Sequence, residues 1–197
     1  QYLLHHDVAL LPNGNILAIA WEYKTAEEAR AAGRRPDELT EKGLWPEVVL
    51  ELAPRGTDDA EIVWEWHSWD HLIQNFDPDA ANYGVLSEHP ELGDINTDAQ
   101  EISGAEIQAL LAGDEIALQD AEESPNAPDL MHLNGITYNP TLDQIIVSSN
   151  GFSEFWIIDH STTTQEAAGS AGGRQAMGGD ILYRWGRASN YDRGGDR

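Results

Sequence analysis

Apolar residues along the chain fall into short runs that predict strands rather than long helices. Four such runs lie in the first third of the sequence: HHDVALL, ILAIAWEY, EVVLELA and EIVWEW. The first two flank the turn PNGN, whose Asn13-Gly14 pair favours a tight hairpin. The last two flank the polar turn PRGTDDA. This spacing predicts one four-stranded antiparallel sheet over residues 5–66.

A second group of four runs repeats this order near the end of the chain. Its members are HLNGITY, QIIVSSN, EFWIIDH and DILYRW, which together cover residues 132–185. When the two groups are superposed, His5-x-Asp7 falls on His132-x-Asn134. Repeated sets of four short antiparallel strands are typical of β-propeller blades. The sequence therefore predicts an all-β chain that supplies two blades of a propeller.

The connections between the runs differ from one blade to the other. Thr25 can begin a short helix in the first blade. Residues 67–131 form a long excursion in which SGAEIQALLAGDE predicts a helical insertion, and the tail, residues 186–197, lacks a strand pattern. We therefore predict one propeller segment over residues 1–197. Because each blade has two apolar faces to cover, we expect further blades or other chains to close the ring.

The net charge of the chain limits the kinds of molecule that it can bind. The chain has 197 residues, with 35 Asp and Glu against 11 Lys and Arg, giving a formal charge of −24. Such a surface disfavours binding to nucleic acid, which needs basic patches. The acids can serve a cationic partner or adapt the surface to high salt. We favour the second interpretation because they are spread along the whole chain. No apolar run is long enough to predict a membrane span.

Two histidine motifs stand at the starts of the two blades. In an extended strand, His132 and Asn134 face the same way because side chains alternate. His5 and His6 open the first blade. Elsewhere, His67 and His71 have the spacing of two metal ligands on a helix, and DINTDAQE loosely resembles a calcium loop. Packing beside tryptophans and a solvated acidic loop are the favoured interpretations, so we predict no metal and no cofactor.

Three segments resemble the aryl-sulfate sulfotransferase family. They are HHDVALLPNGNILAIAWE, VWEWHSWDHLIQNFDPDAANYG and HLNGITYNPTLDQIIVSSNGFSEFWIIDHSTTT. The resemblance covers most of residues 2–190, with the predicted helix near 104–113 as an insertion. It implies a six-bladed β-propeller, usually exported to the periplasm or the cell exterior. It also implies transfer of a sulfuryl group between phenolic compounds without a nucleotide donor.

The resemblance also suggests roles for individual residues. It implies that His132 and Asn134 line a central funnel and contact the sulfate, and that either His5 or His6 is a second funnel histidine. It places Asn150, in SSN, where active members carry an arginine. An amide can donate a hydrogen bond to sulfate but carries no charge, and charge-assisted bonds are about twice as strong.

The family's nucleophilic histidine is expected on a blade after the segment YRWG, and this chain has no histidine after His160. We therefore expect the isolated chain to be inactive, although it resembles an enzyme. The alternative is a non-catalytic propeller module that binds ligands or partners within an exported assembly. The expected substrates of the enzyme are small aryl sulfates and phenols.

Overall fold

The structure is a computed structural model that describes residues 2–39, 42–97 and 129–194. The first sheet contains four strands in chain order: β1 (Leu3–Leu10), β2 (Ile16–Trp21), β3 (Glu47–Arg55) and β4 (Asp59–His67). All neighbouring strands pair antiparallel. The meander arises because each connection returns the chain directly to the adjacent strand.

Short helices and a small parallel pair of strands lie in the connections after β2 and after β4. Helix α1 (Ala26–Ala31) begins at Thr25, whose side chain forms a capping box with Glu28. A 3₁₀ turn over Ser68–His71 follows β4 directly. Strands β5 (Leu72–Ile73) and β6 (Gly93–Asp94) then pair in parallel. Two further 3₁₀ turns span Pro36–Glu38 and Leu86–Glu88.

The second sheet repeats the four-stranded meander. It contains β7 (Leu133–Asn139), β8 (Gln144–Ser149), β9 (Glu154–Asp159) and β10 (Tyr183–Gly186), paired antiparallel in the order β10-β9-β8-β7. Helix α2 (Thr164–Ala167) lies in the connection before β10, and a 3₁₀ turn over Ala188–Tyr191 follows that strand. The predicted all-β class with propeller-like blades is confirmed.

One continuous cluster of buried side chains joins the two sheets. Leu17, Ile19, Val49, Trp64 and Trp66 enter it from the first sheet, and Ile145, Val147, Trp156 and Ile158 enter it from the second. These positions alternate along their strands, as expected when one face of each sheet is turned to a common core. The inner strands β1 and β7 also contact each other directly. The two blades are thus neighbours in one folded unit.

Trp185 on β10 is 65% exposed because β10 is an edge strand of the second sheet. The predicted helix over residues 103–115 lies outside the described residues. Among the described residues, no helix has the length and apolar character needed to span a membrane.

Candidate functional site

An irregularity in β1 positions the first histidine motif. The pairing of β1 with β2 runs regularly through Leu4–Ala20, shifts, and resumes at Val8–Ala18. His5 and His6 lie in the shifted segment, and His6 has a left-handed backbone with φ of 52°. A bulge of this kind redirects side chains that a regular strand would alternate between faces. It allows two consecutive histidines to approach the same place.

The second motif has a comparable distortion. His132 lies just before β7 and has φ of 48°. Its backbone amide donates to Asp129 Oδ1 at 3.0 Å, and its ring Nδ1 lies 2.7 Å from Asp129 Oδ2. The β7–β8 register also shifts between Leu133 and Gly135. Simple strand alternation therefore does not align His132 with Asn134, because the required extended backbone is interrupted.

The three motif histidines meet where β1 and β7 adjoin. The rings of His6 and His132 are edge to face with centroids 4.6 Å apart. His5 Nδ1 lies 2.8 Å from His6 Nδ1. Asp7 connects the blades, since its Oδ2 accepts the backbone amide of Ile136 at 3.0 Å. His6 is exposed, whereas only 6% of the His5 side chain is exposed.

Both amide residues of interest lie at the same end of the second blade. Asn134 is exposed, and its Oδ1 accepts a hydrogen bond from the Ser148 hydroxyl at 2.7 Å. Asn150 follows β8, and its backbone amide donates to the His132 carbonyl at 3.0 Å. The residue at position 150 thus adjoins His132 through its backbone.

A buried glutamate beneath the histidines was not predicted from the sequence. Glu47 begins β3 and is fully buried. Its Oε2 lies 3.0 Å from His5 Nε2, while its Oε1 accepts from the backbone amide of Leu133 at 2.8 Å and from Trp21 Nε1 at 3.2 Å. Trp21 also stacks on the His5 ring at 3.8 Å. Glu47 therefore contacts both blades.

Burial governs the protonation of this group. It lowers the pKa of His5 to about 4, with a further contribution from His132 that the negative charge of Asp129 opposes. The pKa of His6 is also lowered, by partial desolvation and by the neighbouring His132 and His5. Burial raises the pKa of Glu47 well above its usual value, and Asp129 adds to this effect. These shifts all favour the uncharged forms.

Two signals in the sequence could have directed attention to these additional residues. Glu47 is an acid at the start of an otherwise apolar strand run, EVVL, where a charged side chain has a high cost of burial. Asp129 precedes His132 by three residues, a spacing that suits a local contact between side chain and backbone. Neither signal specifies which histidine is the partner.

The remaining histidines of the sequence analysis have other partners. His67 contacts Glu22 and Glu65, and buried His71 lies between Asp180 Oδ1 and the Ala167 carbonyl. The latter contacts secure the connection before β10 against the 3₁₀ turn. Across residues 2–39, 42–97 and 129–194, the side chains form no cluster of three or more potential metal ligands.

The fold and the histidine cluster define an all-β protein built from propeller-like blades, with imidazole and amide groups gathered at one end of two adjoining blades. The family model described as arylsulfotransferase (ASST) matches residues 1–165. Because this match covers most of the chain, the protein belongs to the arylsulfotransferase family. Comparisons with curated proteins and with solved structures gave no significant match.

Proposed function

We propose that the histidine cluster binds the sulfate group of aryl sulfates and takes part in sulfuryl transfer between phenols. The observation that carries this proposal is the meeting of His5, His6 and His132 at the junction of the blades, with the rings of His6 and His132 4.6 Å apart. Family membership supports the substrate class. Asn134 and Asn150 add amide donors at the same end of the second blade.

Sulfuryl transfer depends strongly on positioning and on stabilisation of oxygen charge. In a chain with a net charge of −24, the general field repels anions. Binding must therefore come from local N–H donors. Because the pKa of His6 is lowered, its ring is largely neutral at pH 7 and donates through one nitrogen only. We expect sulfate binding to strengthen as the pH falls below 6.5, when the cluster gains protons.

Sulfuryl transfer needs a nucleophile in addition to the residues that bind the sulfate. The family resemblance assigns the nucleophilic histidine to a later blade, and no histidine follows His160 in these 197 residues. We expect the 197-residue chain alone to bind aryl sulfate without turnover. Further blades or partner chains would supply the missing group and cover the open sheet faces. Family membership also favours an exported location.

The direct test is binding of a chromogenic aryl sulfate measured by calorimetry at pH 5 to 7.5. We expect His6→Ala and His132→Ala each to weaken binding about tenfold, since one donor to a charged oxygen contributes about 1.5 kcal/mol. His89→Ala is the matched control, because this partly exposed histidine pairs with Glu91 away from the cluster. Equal affinity in all three variants would reject the proposed site.

A non-catalytic module is the second candidate function. It predicts the same fold without specific sulfate affinity at the cluster. Calorimetry distinguishes the two candidate functions. In a structural module, His132→Ala would lower stability but leave the affinity for aryl sulfate unchanged.

A further inference from the structure

The contacts of Glu47, His5 and His6 form an unbroken line from the core to the exposed cluster. Glu47 Oε2 and His5 Nε2 are 3.0 Å apart, and His5 Nδ1 and His6 Nδ1 are 2.8 Å apart. The line begins on a fully buried carboxyl group and ends on an exposed imidazole. Each link is short enough for a hydrogen bond that a proton can cross.

Hydrogen-bond chemistry allows two arrangements of this line in which both imidazole rings are neutral. A bond between two ring nitrogens needs one protonated and one unprotonated partner. If the Glu47 carboxyl group holds the proton and donates it to His5 Nε2, then His5 Nδ1–H donates to His6, and His6 carries its own proton on Nε2. If Glu47 is ionised, His5 Nε2–H donates to it, His6 Nδ1–H donates to His5, and His6 Nε2 is a free base.

We propose that Glu47, His5 and His6 form a proton relay in which Glu47 determines whether His6 presents an acidic or a basic Nε2 to the phenolic substrates. This role deepens the proposed function and rests on it. Glu47 is then a positioning residue that stores one proton in the core. His6, rather than His5, is the histidine of the first blade that faces substrate.

The relay balances the protons of sulfuryl exchange. In the first step, a nucleophilic histidine of another blade forms an S–N bond as the donor's S–O bond breaks, and the S–O electron pair stays on the phenolate oxygen, which takes the proton from His6 Nε2. His6 Nδ1 then takes the proton of His5 Nδ1, and His5 Nε2 takes the proton of Glu47, which becomes a carboxylate. In the second step, the acceptor phenol's oxygen forms its S–O bond as the S–N bond breaks and returns its electron pair to the nucleophilic histidine, while the phenol's proton enters at His6 Nε2 and the shifts reverse. Over both steps, one proton leaves Glu47 and one returns.

The surroundings of Glu47 favour the protonated form of its carboxyl group. The titratable groups that face it are His5 and His6 from β1 and Asp129 and His132 from the segment before β7. Strand β2 contributes the uncharged Trp21, and the Ser68 hydroxyl accepts the Glu47 backbone amide. Burial and Asp129 raise the pKa of Glu47, so its proton is held at a pH where an exposed glutamate is ionised.

Glutamine at position 47 would lock the relay in one state. The Leu133 amide and Trp21 Nε1 both donate to Oε1, so the carbonyl oxygen of a glutamine must take that place. Its amide nitrogen then faces His5 Nε2 and donates to it. In Glu47→Gln, His5 is therefore fixed as the Nδ1–H tautomer and His6 as the Nε2–H tautomer.

The test is ¹⁵N NMR of the histidine rings in the 197-residue chain, followed from pH 6 to 10 without substrate. In the unmodified chain we expect the protonated nitrogen of both His5 and His6 to switch together as Glu47 ionises. In Glu47→Gln we expect no switch. Glu51→Gln is the matched control, since this buried glutamate of the same strand contacts His160 Nε2 at 3.0 Å, and here the switch should persist.

Fixed tautomers in the unmodified chain would overturn the relay, as would an unchanged switch in Glu47→Gln. The unmodified titration decides the matter even if a variant fails to fold. Because the readout needs no substrate, it is independent of aryl sulfate binding. In the unmodified chain, fixed tautomers together with intact aryl sulfate binding reject the relay alone, whereas a tautomer switch without aryl sulfate binding rejects the proposed function.

Discussion

Asp7 is the residue whose replacement tests most directly how the two blades hold the histidines together. Its carboxylate accepts the Val8 amide at 2.9 Å through Oδ1 and the Ile136 amide of the second blade at 3.0 Å through Oδ2. Hydrogen bonds to charged groups contribute about 1.5–3 kcal/mol each when buried, and less when partly exposed. We expect Asp7→Ala to lower the free energy of unfolding by about 2 kcal/mol.

Asp7→Asn is the matched control for charge. Both variants remove one negative charge, but asparagine keeps a carbonyl oxygen that can accept one of the two amides. We therefore expect Asp7→Asn to lose about 1 kcal/mol or less. Both variants lose the charge and one of the two amide contacts, so the difference between them reports on the hydrogen bond that asparagine retains.

Urea unfolding gives the free energies, and a thermal scan should show a Tm decrease of about 4–8 °C for Asp7→Ala. NMR contacts between the His6 and His132 rings report whether the cluster stays assembled. If Asp7→Ala is as stable as the parent chain and retains these contacts, the bond from Asp7 to Ile136 does not hold the blades in register, and the reasoning fails.

Three further predictions concern the cluster and the second blade. Asn150→Arg should strengthen aryl sulfate binding about fivefold in calorimetry, because it restores a charge-assisted donor beside His132; unchanged affinity would place residue 150 outside the site. His5 should titrate near pH 4 by NMR. Because the unfolded chain takes up that proton near pH 6.5, this group should reduce stability as the pH falls from 6.5 to 4; a midpoint near 6.5 would contradict its burial. Arg184→Met should cost about 3–5 kcal/mol in urea unfolding, since it leaves the buried Glu154 without the positively charged group 2.8 Å from its Oε2. The exposed Arg174→Met should change stability by less than about 0.5 kcal/mol, and equal effects would refute the argument.

The strand pattern could be predicted because it follows from local chemistry. Asn13-Gly14 favours a hairpin, β-branched and aromatic residues favour strands, and Thr25 with Glu28 forms a capping box. These signals act over a few residues, so they can be detected in a single sequence. The strand ends were predicted less well: the predicted strand began at His132, but His132 lies outside β7 because its backbone is left-handed.

The histidine motifs were also visible in the sequence, since two similar strand groups each begin with one. Strand alternation gave the wrong reason for their alignment. It assumes an extended backbone, whereas the chain is bulged at His5 and His6 and left-handed at His132. The meeting of the rings depends on these irregularities and on the contact of Asp7 with β7.

By itself, the sequence determined an acidic all-β chain with two repeated blades and a histidine at the start of each. Only the tertiary structure decided that His6 and His132 touch, that His5 is buried beneath them, and that Glu47 supports His5. The physical reason is distance along the chain: Glu47 and Leu133 are separated by 86 residues, yet their hydrogen bond is 2.8 Å long. Local propensities carry no information about such a contact, because it forms only when the two sheets close on their shared core.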